Sequence, residues 1–182
     1  MADFLTAFQI TNKNEGKLAN NPNDAGKLTY MGIASAFWPN WKGWPIINEA
    51  IANHTTAILS KNATLQQYVQ DFYKQNFWNP LSLMWFNDQQ LANVVYDFGV
   101  NSGIGNSARK LQLAANQIGG DLSVDGQIGA KTIAYVNKAS ADSLYNAFNY
   151  QRKEFYNALI AKDPSQAEFR NSWFSRIKPY VA

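Results

Sequence analysis

Cysteine is absent from this 182-residue chain, and histidine occurs once. The first absence excludes disulfides and thiolate-held zinc. The second excludes His-rich metal sites and leaves a Ser-His-Asp triad without support. No apolar run approaches the ~20 residues that cross a bilayer, so no stable membrane insertion is expected. The opening MADFLTAFQITNKNEG carries Asp3 and no basic stretch before its short apolar run, which is not the pattern of a secretory signal. Charge of either sign is sparse. A net +3 with a pI near 9.0 suits an anionic polymer but is too weak to argue for nucleic acid. Repeats, low-complexity tracts and separating linkers are also missing, so residues 1–182 read as a single domain able to bury roughly 70% of its unfolded surface without staples.

What is abundant is aromatic: 14% of the chain, with 6 Trp. Such rings are good core material and also good flat platforms for sugars. Apolar spacing predicts helices over 3–14, 46–60, 64–76, 89–100 and 107–118. A longer helix begins after Ser140 as N-cap, and a last one follows Pro164 with Phe169, Trp173 and Ile177 four apart. Residues 17–35 lack helical period and read as turns with short strands. Glycines at 99, 103 and 105, and then at 119 and 120, mark expected joints; Asp125-Gly126 with Gly129 reads as a turn into a helix. A calcium loop there would need more oxygen ligands than it has, and no metal or other cofactor is implied. His54 falls on the apolar face of the 46–60 segment and is expected in the core.

The segment NEGKLANNPNDAGKLTYMGIA carries the chemistry. Glu15 ends an apolar helix, and Gly16 lets the chain turn away beside it. Cleaving a glycosidic bond needs a carboxylic acid kept protonated in a poorly solvated setting, and stabilisation of an oxocarbenium-like centre. Glu15 meets the first need on sequence grounds. Asp24, nine residues on, either holds water and balances charge in the same cleft or caps an Asx turn. Thr29 has a hydroxyl suited to positioning that water.

These residues resemble the signature of glycoside hydrolase family 108, bacterial and phage N-acetylmuramidases of which some are described as secretion activators. The family opening is similar to E-G-G-Y followed by N-D-P-x-D-P-G-G-x-T-x-x-G-I. Glu15, Gly16, Asn20, Pro22, Asp24, Gly26, Thr29, Gly32 and Ile33 match it. Lys17, Leu18, Asn21, Ala25 and Lys27 depart from it, which touches turn geometry and leaves the acid, the second carboxylate and the threonine in place. Residues 91–137 and the final stretch with Arg152, Phe155-Tyr156, Phe169, Trp173 and Arg176 resemble the peptidoglycan-binding region that follows that segment, although Ser172 stands where Gly is usual.

The resemblance implies a mainly α, lysozyme-like fold with a small β-hairpin lobe. It divides the domain into a catalytic segment, 1–88, and a helical region, 89–182, that completes the fold. It also implies hydrolysis of the β-1,4 bond between N-acetylmuramic acid and N-acetylglucosamine, with Glu15 as proton donor and Asp24 and Thr29 assisting. Peptidoglycan is then the partner, and a monomer is expected. The protein would be made in the cytoplasm and reach the wall or periplasm by a phage holin or dedicated export, as an endolysin would. The rival reading, supported by Lys17, Leu18 and Lys27, is a non-catalytic wall-binding module of a phage particle or secretion system, in which a lysine near Glu15 keeps the acid ionised.

Six further residues are substrate-binding candidates: Asn101, Asp97, Tyr96, Trp41, Trp44 and Tyr30. Asn101 either bonds a sugar substituent or caps a helix. By resemblance to the amide that phage-type lysozymes carry on the facing helix, it is assigned to substrate. Asp97 either buttresses the cleft or is a buried structural partner. In FWPNWKGW, Trp38 is expected in the core and Trp41 or Trp44 at a sugar-stacking wall.

Overall fold

The computed structural model of the chain describes residues 1–12, 18–20 and 27–181. The fold is mainly α with one small antiparallel sheet, the expected class. The chain forms two compact units: Phe8–Asn76, and Met1–Ala7 together with Phe77–Ala182.

The first helix, α1 (Phe4–Asn12), starts where Asp3 Oδ1 accepts from both the backbone N–H and the hydroxyl of Thr6, a side-chain N-cap. In the Phe8–Asn76 unit, strands β1 (Leu18–Asn20), β2 (Leu28–Tyr30) and β3 (Ile33–Ala34) pair antiparallel in that order. The β2–β3 connection is Met31-Gly32, and both residues have positive φ (45° and 79°). A two-residue hairpin with the right-handed strand twist requires that geometry. Helix α2 (Trp44–Ala52) carries Pro45 in its first turn, where its missing N–H costs nothing. A 3-10 segment, Thr56–Lys61, leads to α3 (Ala63–Tyr73), whose N-cap Asn62 accepts from Leu65 N at 2.9 Å.

Ile33, Ile47, Leu65 and Val69 are fully buried in this unit. Two tyrosines tie the sheet to α3. The Tyr30 hydroxyl accepts from Gln66 Nε2 at 2.9 Å, and the Tyr73 hydroxyl donates to the Met31 carbonyl at 2.7 Å. Burial raises the Tyr30 phenol above its ordinary pKa, because the charged form would lose its hydration there.

In the other unit, α4 (Gln89–Ser102) is capped by Asp88, which accepts from Leu91 N. Gly103, at φ 89°, breaks the chain into α5 (Ile104–Gln117). Gly99 is no joint: it lies inside α4, where an added Cβ would sit 2.7 Å from Leu81 Cδ1. Close approach is the reason for glycine here. On the next helix Ser107 donates to the Val95 carbonyl at 2.7 Å. Helices α6 (Ala130–Lys138), α7 (Ala141–Lys162) and α8 (Arg170–Ser175) follow, with a 3-10 turn over Pro164–Phe169. Ser140 caps α7 as the sequence requires, accepting from Ser143 N.

Gln112, almost fully buried, clamps the 121–129 loop. Its Nε2 donates to Asp125 Oδ1 (2.7 Å) and the Gln127 carbonyl (2.9 Å), and its Oε1 accepts from Gly126 N (3.0 Å). Its hydrogen bond, and that from Gln127 N, hold the Asp125 carboxyl below the ordinary aspartate pKa.

Two further expectations fail. The 46–60 helix ends at Ala52, because His54 takes φ 56° in a turn; His54 is exposed there and not in the core. Trp38 is 41% exposed, whereas Trp44 is 7% exposed and donates its indole N–H to the Trp38 carbonyl at 2.7 Å.

Candidate active site

Glu15 and Asp24 lie outside the described residues. Thr29 is described. It is the middle residue of β2, the central strand, opposite Ala19 on β1 and Ala34 on β3. Directly paired residues share a face, so the hydroxyl stands in a row with two methyl-sized neighbours. Its neighbour Tyr30 points to the other face, where it is 1% exposed. Thr29 itself is half-buried.

Asn101 is exposed, in the last turn of α4. Its Nδ2 donates to the Asp97 carbonyl at 2.7 Å and approaches Asp97 Oδ1 at 3.3 Å. Asp97 is in turn the acceptor for two guanidinium groups. Arg152 Nη2 meets Oδ2 at 2.6 Å, and Arg176 Nη1 meets Oδ1 at 2.9 Å. The Arg152 side chain is wholly buried; it also reaches Asn149 Oδ1 at 3.2 Å and lies 5.6 Å from the centroid of the Phe98 ring. A buried cation of this kind needs its counterion. Asp97 is thus a structural hub that neutralises Arg152, and both of its carboxylate oxygens are taken up by guanidinium groups. This corrects its assignment as a sugar contact.

Tyr96 is corrected in the same way. It is fully buried, packed edge-on against Phe4 (6.1 Å) and Trp78 (5.9 Å). Tyr30 is a core residue of the sheet-bearing unit, and Trp44 is buried beneath the loop it anchors.

Trp41 keeps an accessible edge. It stacks against Tyr30 at 6.5 Å, meets Trp44 edge-on at 5.1 Å and donates its indole N–H to the Tyr68 carbonyl at 3.3 Å. Gly43 makes this possible, since a Cβ there would fall 2.3 Å from the Trp41 ring. Trp41 lines two adjoining depressions of about 200 and 300 Å³, which it shares with Asn40 and Phe72. The polar lining of the smaller one, notably Asp71 on α3 and Gln75 just after it, escaped the sequence reading. The helical spacing of Tyr68, Asp71 and Gln75 was the signal available for it.

Among the described residues no group of three or more His, Cys, Asp or Glu side chains could hold a metal ion, and no helix is long and apolar enough to cross a membrane.

Comparison with known proteins adds three findings. A family profile described as Glycosyl hydrolase 108 matches residues 8–103. A second, described as Predicted Peptidoglycan domain, matches residues 106–178. Among solved structures, that of SagA from Brucella abortus superposes with a TM-score of 0.67; it is 26% identical and covers 96% of this chain and 88% of its own. No curated protein matches the sequence.

Proposed function

The chain belongs to glycosyl hydrolase family 108 and is a glycoside hydrolase acting on peptidoglycan, and from that premise we propose how it breaks the bond. Glu15 donates a proton to the glycosidic oxygen between N-acetylmuramic acid and N-acetylglucosamine. Asp24 balances the developing positive charge or holds the attacking water, and the Thr29 hydroxyl orients that water. Asn101 bonds a substituent of the bound glycan. The protein acts at the bacterial cell wall.

The observation that carries this reading is the profile match over residues 8–103, which encloses the whole Glu15-to-Ile33 signature in its expected order. Two features of the structure support it. Thr29 sits half-buried on the central strand, paired with two alanines, Ala19 and Ala34. The Asn101 amide donates to the Asp97 backbone carbonyl one turn back at 2.7 Å, so it is oriented before any ligand arrives. Such preorganisation lowers the entropy cost of binding and of reaching the transition state.

The test is mass spectrometry of the fragments released from purified peptidoglycan. Reducing ends on muramic acid are expected. Reducing ends on glucosamine, or cut peptide stems with intact glycan, would overturn the assignment of the bond.

A further inference from the structure

The two depressions beside Trp41 form one aromatic groove in the Phe8–Asn76 unit, between the loop from Phe37 to Lys42 and the outer face of α3. We propose that this groove is a binding site for the sugar backbone of peptidoglycan, an assignment that rests on peptidoglycan being the substrate but not on any role of Glu15.

Large rings are displayed here and held still. Phe37 is 69% and Trp38 41% exposed, on consecutive residues. The Trp38 ring is braced edge-on against Phe72 at 4.8 Å, and its carbonyl is tied by the Trp44 indole N–H. Trp41 is tied to the Tyr68 carbonyl. An exposed indole fixed in this way costs water contact without gaining a packed interior, and it offers a platform that needs no ordering on binding.

The rim is polar, which selects among occupants. Asn40, Lys42, Asp71 and Gln75 border Trp41 and Phe72 in one of the two depressions, and Asn40 reaches the other. Asp71 Oδ1 accepts from Gln67 Nε2 at 2.9 Å, which orients the carboxylate. A pyranose ring presents an apolar C–H face and an edge of hydroxyl and acetamido groups. A flat indole takes the first, and a carboxylate flanked by amides takes the second. Lys42 adds a charge complementary to the carboxylates that muramic acid and its peptide stem carry. An amphipathic helix or lipid surface would instead favour a groove whose border lacks such hydrogen-bonding groups.

The experiment titrates the intact protein with stem-free glycan strands prepared from peptidoglycan, following tryptophan fluorescence, and assays lysis in parallel. Trp38→Ala should weaken binding by roughly tenfold, the scale of one lost stacking contact. Asp71→Asn keeps size and fold and should weaken it by about threefold to tenfold. Trp85→Ala removes a 53% exposed indole from the other unit and should leave affinity unchanged. Undiminished affinity in both Trp38→Ala and Asp71→Asn would overturn the site. So would loss of self-association in Trp38→Ala with glycan binding intact, which would make the groove a contact between copies. The two readings fail separately. Loss of lysis in Glu15→Gln with unaltered binding in the groove variants removes only the groove. Full lysis by Glu15→Gln with weakened binding in the groove variants removes only the acid.

Discussion

The two units are held by different physics. In the unit of Met1–Ala7 and Phe77–Ala182, helices up to 22 residues long surround a charged hub: Asp97, the buried Arg152, and Arg176. The Phe8–Asn76 unit is built from shorter elements. Prominent among its described contacts are those of tyrosine hydroxyls, amide side chains and a cluster of indoles and phenyl rings. A buried charge with one counterion concentrates stability at one point, and losing the partner leaves an unpaired ion in low dielectric. Neutral hydrogen bonds and ring contacts spread the same work over many residues, each worth about 1 kcal/mol. That spread lets the smaller unit display aromatic rings on its surface and still keep its core of Ile33, Ile47, Leu65 and Val69.

Substitutions sharpen this contrast. Asp97→Ala should cost about 3–5 kcal/mol in chemical denaturation, because Arg152 is left buried without its counterion. A loss under about 1 kcal/mol would show that the hub does not hold its unit. Gly43→Ala should cost about 1–3 kcal/mol by overpacking. It should also shift tryptophan emission, since the new Cβ forces the Trp41 ring out of place. Unchanged emission would mean that the ring is not seated there. Tyr73→Phe deletes one neutral hydrogen bond to the Met31 carbonyl and should cost about 1 kcal/mol. The smallest effect concerns pH. Gln112 lowers the Asp125 pKa, so the contribution of this clamp is present above the ordinary aspartate range and fades only as pH falls through the depressed value. NMR titration of the Asp125 carboxyl should give a midpoint below that of an unstructured aspartate. A midpoint at or above it would remove the clamp.

Local signals were legible and distant pairings were not. Ser140 as a cap, the short strands at Leu28–Tyr30 and Ile33–Ala34 and the turn leading into α6 all follow from chemistry within a few residues, and each stands where the sequence puts it. Asp97 finds its arginines 55 and 79 positions away, a relation that no helical period contains. The three indoles of FWPNWKGW are spaced alike, so spacing could not say which turns inward; the Trp44 hydrogen bond to the Trp38 carbonyl decides it. Ile47, Ile51, His54 and Ile58 keep helical spacing through a point where the chain turns at positive φ, and tertiary packing overrides the pattern there. Of the proposed site residues, Thr29 is half-buried and Asn101 is exposed. Tyr96 and Tyr30 are aromatic for the sake of the core, which composition alone cannot distinguish from sugar binding.

We propose that one carboxylic acid, Glu15, delivers the proton that breaks the glycan. The most direct measurement is lysis of purified peptidoglycan by Glu15→Gln, with circular dichroism and melting temperature recorded on the same sample. A native fold with turnover reduced by about 10²- to 10⁴-fold is the predicted result. A folded Glu15→Gln protein that lyses peptidoglycan at the wild-type rate would contradict it.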